Sequence, residues 1–228
     1  MDQFQEFVVT RSYCKWIENL GRRESWNECV DRYYDYFGDR FPEILGEDWD
    51  EIRRSTIDRE VFPSMRALMT AGVAAEVDDT CLYNCSYLPI NTVRSFSDVL
   101  YILCCGTGVG FSCEFNEISQ LPDIPDIERD DKLEIIVKDS RRGWAEAFND
   151  LLSALYSGLH PTWDTSAVRP KGSRLKTFGG RASGPEPLER LFKFVVKLFY
   201  EANGRKLHPI EVHAVSYTHL TLPTKRIV

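Results

Sequence analysis

Apolar residues recur along the first ~60 positions at helical spacing. Tyr13, Trp16, Ile17 and Leu20 fall at i, i+3, i+4 and i+7 and predict one helix; Trp26, Val30, Tyr33, Tyr34 and Phe37 predict a second. Gly21 and Gly38 stand where helices stop. Between the two, Arg22, Arg23 and Glu24 form a charged corner, and Ser25 with Glu28 reads as a capping box. The pattern is that of a helical layer with a solvated face, and no chemistry is assigned to it. From Phe62 the texture changes: MRALMTAGVAAE is rich in small residues and CLYNCSYLPI is apolar. A helix follows over residues 95–105, with Ser95 as its cap and Phe96, Val99, Leu100, Ile102 and Leu103 as its stripe. The turn GTGVG spans residues 106–110. Residues 115–131 are acidic and carry Pro122 and Pro125, which predicts a loop. LEIIV, residues 133–137, reads as a strand, and Trp144 to Tyr156 as a helix. A glycine-rich stretch occupies residues 168–185. The last strong helix covers residues 186–202, with Leu188, Leu191, Phe192, Val195 and Phe199 on its apolar side and Asn203 and Gly204 as its stop.

Composition narrows the class. Of 228 residues, 43% are hydrophobic and 12% aromatic, enough for one large cored domain or two small ones. No apolar run approaches the ~20 residues of a membrane span, and MDQFQEFVVTRSYCKW has no basic n-region or apolar h-region, so a soluble cytoplasmic protein without membrane attachment is expected. The net charge of -7, from 35 acidic and 28 basic residues, argues against general nucleic-acid binding. Seven cysteines form an odd set with no CxxC or Cys/His cluster, so neither structural disulfides nor a metal site is expected.

The run VSYTHLTLPTKRIV, residues 215–228, differs in character from what precedes it. It resembles the translation of a sequencing-library adapter. On that reading natural sequence ends near His213, the chain is an amino-terminal fragment, and nothing from Val215 onward has a role. The alternative is a native threonine-rich edge strand.

Two glycine-rich stretches and one cysteine are candidates for chemistry. GTGVG would bring backbone amides to a ligand, but it lacks the GxGxxG spacing and equally suits a packing turn. In the second stretch Arg169, Lys171, Arg174, Lys176 and Arg181 are interleaved with glycines, which suits a polyphosphate; a solvated loop is the plain alternative. Cys85 lies in a polar corner beside Asn84 and Ser86, where substrate could reach a thiol. Cys14, Cys29, Cys81, Cys104, Cys105 and Cys113 read as small buried apolar residues.

In their order, SYCKWIENLGRRESWNECVDRYYDYF, FPSMRALMTAG, NCSY, GTGVGFSCE, DSRRGW, SAVRPKGSRLKTFGGRASGP and GRKLHPIEVH resemble the large chains of ribonucleotide reductases. The likeness is strongest to the monomeric adenosylcobalamin-dependent ribonucleoside-triphosphate reductases of class II. That resemblance implies that Cys85 is one of two redox thiols that reduce the ribose, and that Asn84, Cys85, Thr107 and Gly108 contact substrate. It implies an insertion at about residues 112–167 that completes a deoxynucleoside triphosphate effector site. There Asp139 and Ser140 would hold base or sugar, and Arg169 and Lys176 would meet phosphates. Adenosylcobalamin is the implied cofactor, a thioredoxin-like protein the reductant and a ribonucleoside triphosphate the substrate.

The implied fold class is α/β: a helical amino-terminal region over residues 1–60, then the first part of a ten-stranded α/β barrel over residues 61–214. The radical-forming cysteine and most of the cobalamin site are not among these residues, so the polypeptide alone is expected to be inactive. Two rival readings are a nucleotide-effector-binding module without chemistry and the large chain of a dimeric class I reductase.

Overall fold

The computed structural model describes residues 3–44, 46–175 and 181–221, which divide into two compact units, one up to Asn84 and the other from Cys85 onward. In the first unit, α1 (Gln3–Ser12) is followed by β1 (Trp16–Ile17), a 3-10 turn (Glu18–Leu20), β2 (Arg22–Arg23), α2 (Trp26–Arg40), α3 (Glu47–Asp58), α4 (Met65–Thr70) and α5 (Val73–Val77). The helix expected from Tyr13 to Leu20 does not form. Trp16 and Ile17 pair antiparallel with Arg23 and Arg22, and Gly21 turns the chain at φ 62°, a left-handed conformation open to glycine. Short apolar runs carry either period, and here the turn decides. Gly38 does not stop α2 but is buried inside it, and the helix continues to Arg40. The Ser25/Glu28 capping box is present as expected.

A half-buried arginine organises this unit. Arg32 donates to both carboxylate oxygens of Glu24, at 2.8 and 3.0 Å, and to the carbonyls of Leu68 and Ala71 at 3.1 and 2.9 Å. Lys15 Nζ donates to the same Ala71 carbonyl at 2.7 Å. Burial, followed by the like charge of Arg32, pushes the Lys15 ammonium down from 10.5 to about 8.

The second unit holds β3 (Cys85–Pro89), α6 (Val93–Cys104), β4 (Gly108–Ser112), α7 (Phe115–Ile118), β5 (Glu128–Ile136), α8 (Arg141–Tyr156), β6 (Leu159–Asp164), α9 (Glu186–Glu201) and α10 (Pro209–Thr221). Thr92, not Ser95, caps α6; Ser95 is the third helical residue and closes a capping box back onto Thr92. The stretch expected as a loop over residues 115–131 contains α7 and the start of β5. The chain from Val215 to Thr221 continues α10 instead of forming the strand of the alternative reading.

The unit contains two repeats of one idea, strand, helix, parallel strand. In β3-α6-β4, Cys85 pairs with Gly108 and Pro89 with Ser112; in β5-α8-β6, Lys132 pairs with His160 and Ile136 with Asp164. A register shift between Glu128 and Lys132 bends the start of β5. A parallel pair needs a crossover, and each helix supplies one by burying its stripe. Phe96, Val99, Leu100 and Leu103 of α6 meet Trp144, Phe148, Leu151, Leu152 and Leu155 of α8 and Leu188, Leu191, Phe192, Val195 and Phe199 of α9 in a single core. No helix among the described residues is long and apolar enough to cross a membrane.

Two outcomes follow from this packing. Phe148 is fully buried, with its ring stacked 6.1 Å from that of Phe192, so Phe148→Ala is expected to cost about 3–5 kcal/mol in urea unfolding. Lys15 has a folded pKa below its unfolded value, so the unfolded chain holds the extra proton between pH 8 and 10.5 and stability rises with pH through that window. The free energy of unfolding should rise by about 3 kcal/mol across that window in the native protein, a rise that Lys15→Met flattens.

Candidate functional site

Cys85 opens β3 and is an exposed free thiol. Among the described residues the other six cysteines are buried or, for Cys113, half-buried. Burial pushes the Cys104 thiol up to about 12 and that of Cys113 to about 11, which keeps both protonated at neutral pH.

Register explains what surrounds the exposed sulfur. Paired residues of a parallel ladder share a face, so Cys85 and Tyr87 lie on one side with Gly108 and Gly110, while Ser86 and Leu88 share the core side with Val109 and Phe111. Gly108 and Gly110 are exposed and bring no side chains to the outer face. A flat strip of β4 backbone therefore lies beside the Cys85 thiol. Tyr87, 67% exposed, stands two residues along on the same face. Sequence reasoning did not single it out; the i, i+2 spacing from Cys85 within a strand was the available signal. Ser86 Oγ donates to the Gly108 carbonyl at 3.3 Å and ties the two strand ends together.

The turn that feeds β4 is closed by backbone bonds. Gly106, at φ 82°, donates to Leu103 O at 2.8 Å, and Thr107 N donates to Ile102 O at 3.2 Å. Thr107 itself is buried, so of the expected substrate contacts the structure brings Cys85 and Gly108 together on the open face and places Thr107 beneath it. Asn84, exposed, directly precedes Cys85 in the chain.

A second candidate lies past the carboxyl ends of β5 and β6. Asp139 Oδ2 accepts from Arg169 Nε at 2.7 Å, with both side chains about one quarter exposed. Asp139 Oδ1 is buried without a partner among the described residues. Ser140 caps α8, its hydroxyl oxygen accepting from Gly143 N at 2.9 Å. Asp139, Ser140 and Arg169 are thus brought together; Lys176 lies outside the described residues. Arg181 donates to Gly172 O at 3.0 Å, so part of the basic stretch is spent on holding its own loop.

Residues 121–199, which contain β5, α8, β6 and most of α9, match the family described as "B12-dependent ribonucleotide reductase, insertion domain". The chain is 27% identical over 233 residues to the adenosylcobalamin-dependent ribonucleoside-triphosphate reductase of Euglena gracilis, covering 92% of this chain and 31% of that protein. It is 28% identical over 229 residues to the putative adenosylcobalamin-dependent ribonucleoside-triphosphate reductase of Mycobacterium phage D29, covering 85% and 32%. The crystal structure of a B-12 dependent (class II) ribonucleotide reductase superposes with a TM-score of 0.80 at 21% identity, over 93% of this chain and 39% of that one. The mixed α/β fold is therefore that of the class II structure, and the chain spans about one third of the length of the curated relatives it matches.

Gly143 is where the second candidate can be probed. A Cβ there would meet Lys138 Cβ at 2.6 Å, Lys138 O at 2.7 Å and Ser140 Oγ at 2.9 Å. Backbone at that distance must move, so Gly143→Ala is expected to cost about 1–3 kcal/mol, read as a lowered midpoint in thermal unfolding.

Proposed function

We propose that the chain is the amino-terminal part of a reductase that converts ribonucleoside triphosphates to 2'-deoxyribonucleotides, with Cys85 as one of its two redox thiols. The observation that carries this reading is the exposed Cys85 thiol in register with Gly108, on a ladder face that Gly108 and Gly110 leave bare. A sugar can lie against such a strip because no Cβ keeps it from the backbone.

In the proposed chemistry the C2'–OH bond breaks, and the hydroxyl leaves as water with a proton from a thiol. C2' gains hydrogen, and Cys85 and a second cysteine become a disulfide, so two thiols supply the two electrons. A thioredoxin-like protein would return the disulfide to the dithiol by exchange. Asn84, Thr107 and Gly108 are the proposed substrate neighbours of Cys85.

The relatives are named as adenosylcobalamin-dependent, and we extend that dependence to the full-length protein. Grooves of about 390, 440 and 660 Å³ among the described residues are on the scale of a drug-sized ligand, and none of them is assigned to the corrin. The β3-α6-β4 unit would begin the ten-stranded barrel, and the protein would work as a cytoplasmic monomer. The match of residues 121–199 to the insertion domain favours this class over a dimeric class I chain.

The Asp139–Arg169 pair supports a deoxynucleoside triphosphate effector site. Asp139 and Ser140 would take base or sugar, and Arg169 with Lys176 the phosphates. The buried, unpartnered Asp139 Oδ1 calls for a donor, which a nucleoside supplies. It also gives substance to the second reading, a module that binds the effector and does no chemistry.

Cys85→Ser in the full-length protein separates the two. With a thioredoxin-type reductant, deoxynucleotide formation over many turnovers is expected to fall by at least about 100-fold while deoxynucleotide binding is retained. Undiminished turnover would remove Cys85 from the mechanism.

A further inference from the structure

The ladder of β3 and β4 exposes few residues, and they fall together. Cys85, Tyr87, Gly108 and Gly110 are exposed, while the rest of both strands is half-buried or buried. The four form two register pairs, Cys85 with Gly108 and Tyr87 with Gly110. Because the glycines bring no side chains, the open patch is a thiol and an aromatic ring beside a bare strip of backbone. The ring borders that strip: Tyr87 Cδ2 lies 3.8 Å from where a Cβ on Gly110 would stand. Tyr87 is 67% exposed, and among the described residues no hydrogen bond or second ring engages it.

We propose, on the reading of Cys85 as a thiol that reduces the ribose, that Tyr87 is the platform on which the base of the ribonucleotide substrate stacks while its sugar lies on the glycine strip.

The spacing suits a nucleotide. Residues two apart on one face of a strand stand about 7 Å from each other, close to the span of a sugar and the base bonded to it. A ribose resting on Gly108 and Gly110 has the Cys85 thiol at one end, and a base directed toward Tyr87 meets the ring. Stacking also suits the task. A site that takes several bases cannot read their edges, which differ in donors and acceptors, whereas every base offers a π face. The contact fixes the sugar through its neighbour: a base held on Tyr87 keeps the ribose from sliding along the strip. The distance from C2' to the sulfur is then set by one rigid strand.

The ring carries this role and the phenol oxygen does not. Phenylalanine at position 87 keeps the platform and alanine removes it, so the two substitutions separate stacking from hydrogen bonding. Tyr87 lies outside the core cluster of the second unit, and both variants are expected to fold.

The test uses the full-length protein with ATP and CTP as probes and needs no turnover. Iodoacetamide alkylates the exposed Cys85 thiol, and the rate at Cys85 is read by mass spectrometry at increasing nucleotide concentration. Either nucleotide is expected to slow alkylation of the native protein. Tyr87→Ala is expected to raise the half-protecting concentration by at least about tenfold, and Tyr87→Phe by less than about threefold. Ribose 5-triphosphate, which has no base, is expected to protect the native protein and Tyr87→Ala alike. An unchanged half-protecting concentration in Tyr87→Ala overturns the role of Tyr87 and leaves the reading of Cys85 standing. So does a loss in Tyr87→Phe as large as in Tyr87→Ala, or a Tyr87→Ala loss that the base-free probe shares. Failure of both nucleotides to protect Cys85 in the native protein removes the substrate from this face, and the reading of Cys85 falls with it.

Discussion

The burial of three apolar stripes against one another is the constraint on which the second unit rests. Helices α6, α8 and α9 each present phenylalanine and leucine at i, i+3, i+4 and i+7, and one dry core accepts all three. Each parallel ladder has only two strands among the described residues, too few to persist alone in water. The strands hold their register because the crossover helices are locked, so the placement of Cys85 opposite Gly108 is inherited from a contact made on the other side of the sheet. The first unit is tied differently. There one arginine ties together Tyr13, Glu24, Leu68 and Ala71 through charge-assisted bonds to the Glu24 carboxylate and to backbone carbonyls.

The long helices were legible because their stripes are regular over three or four turns. Leu188, Leu191, Phe192, Val195 and Phe199 admit no other period, and Trp144 to Leu155 are as plain. The hairpin at Trp16–Arg23 was not legible, since four apolar residues at helical spacing are too few to outvote a left-handed glycine. The beginning of β5 was hidden by its charge: Glu128, Asp130, Asp131 and Lys132 look like a loop until β6 pairs with them. At the candidate site, the polar neighbours of Cys85 marked it as reachable, and the structure exposes it. Tyr87 was passed over because the face on which a strand residue stands depends on the register of its partner. The Asp139–Arg169 pair spans 30 positions and forms only when α8 and β6 bring the chain back, so no local pattern announces it.

The two strand-helix-strand units use opposite ends of their ladders. Cys85 and Gly108 are the first residues of β3 and β4, whereas Asp139 and Arg169 follow the last residues of β5 and β6. A thiol at a strand start is held by backbone on a rigid element, which suits a group whose distance to a reacting carbon must be fixed. A carboxylate and a guanidinium beyond strand ends sit on loops at the helix entrance, where open α/β sheets commonly receive ligands. The rigidity of each position matches the task proposed for it.

Gly110 shows how fold and surface can make separate demands on one residue. A methyl group built there would come only to 3.7 Å from Ser86 O and 3.8 Å from the Tyr87 ring, ordinary van der Waals distances. Alanine would therefore leave the ladder intact and yet raise a bump on the one smooth stretch beside the sulfur. On the proposed reading the missing side chain leaves room for a sugar, and the strand itself would tolerate a methyl group.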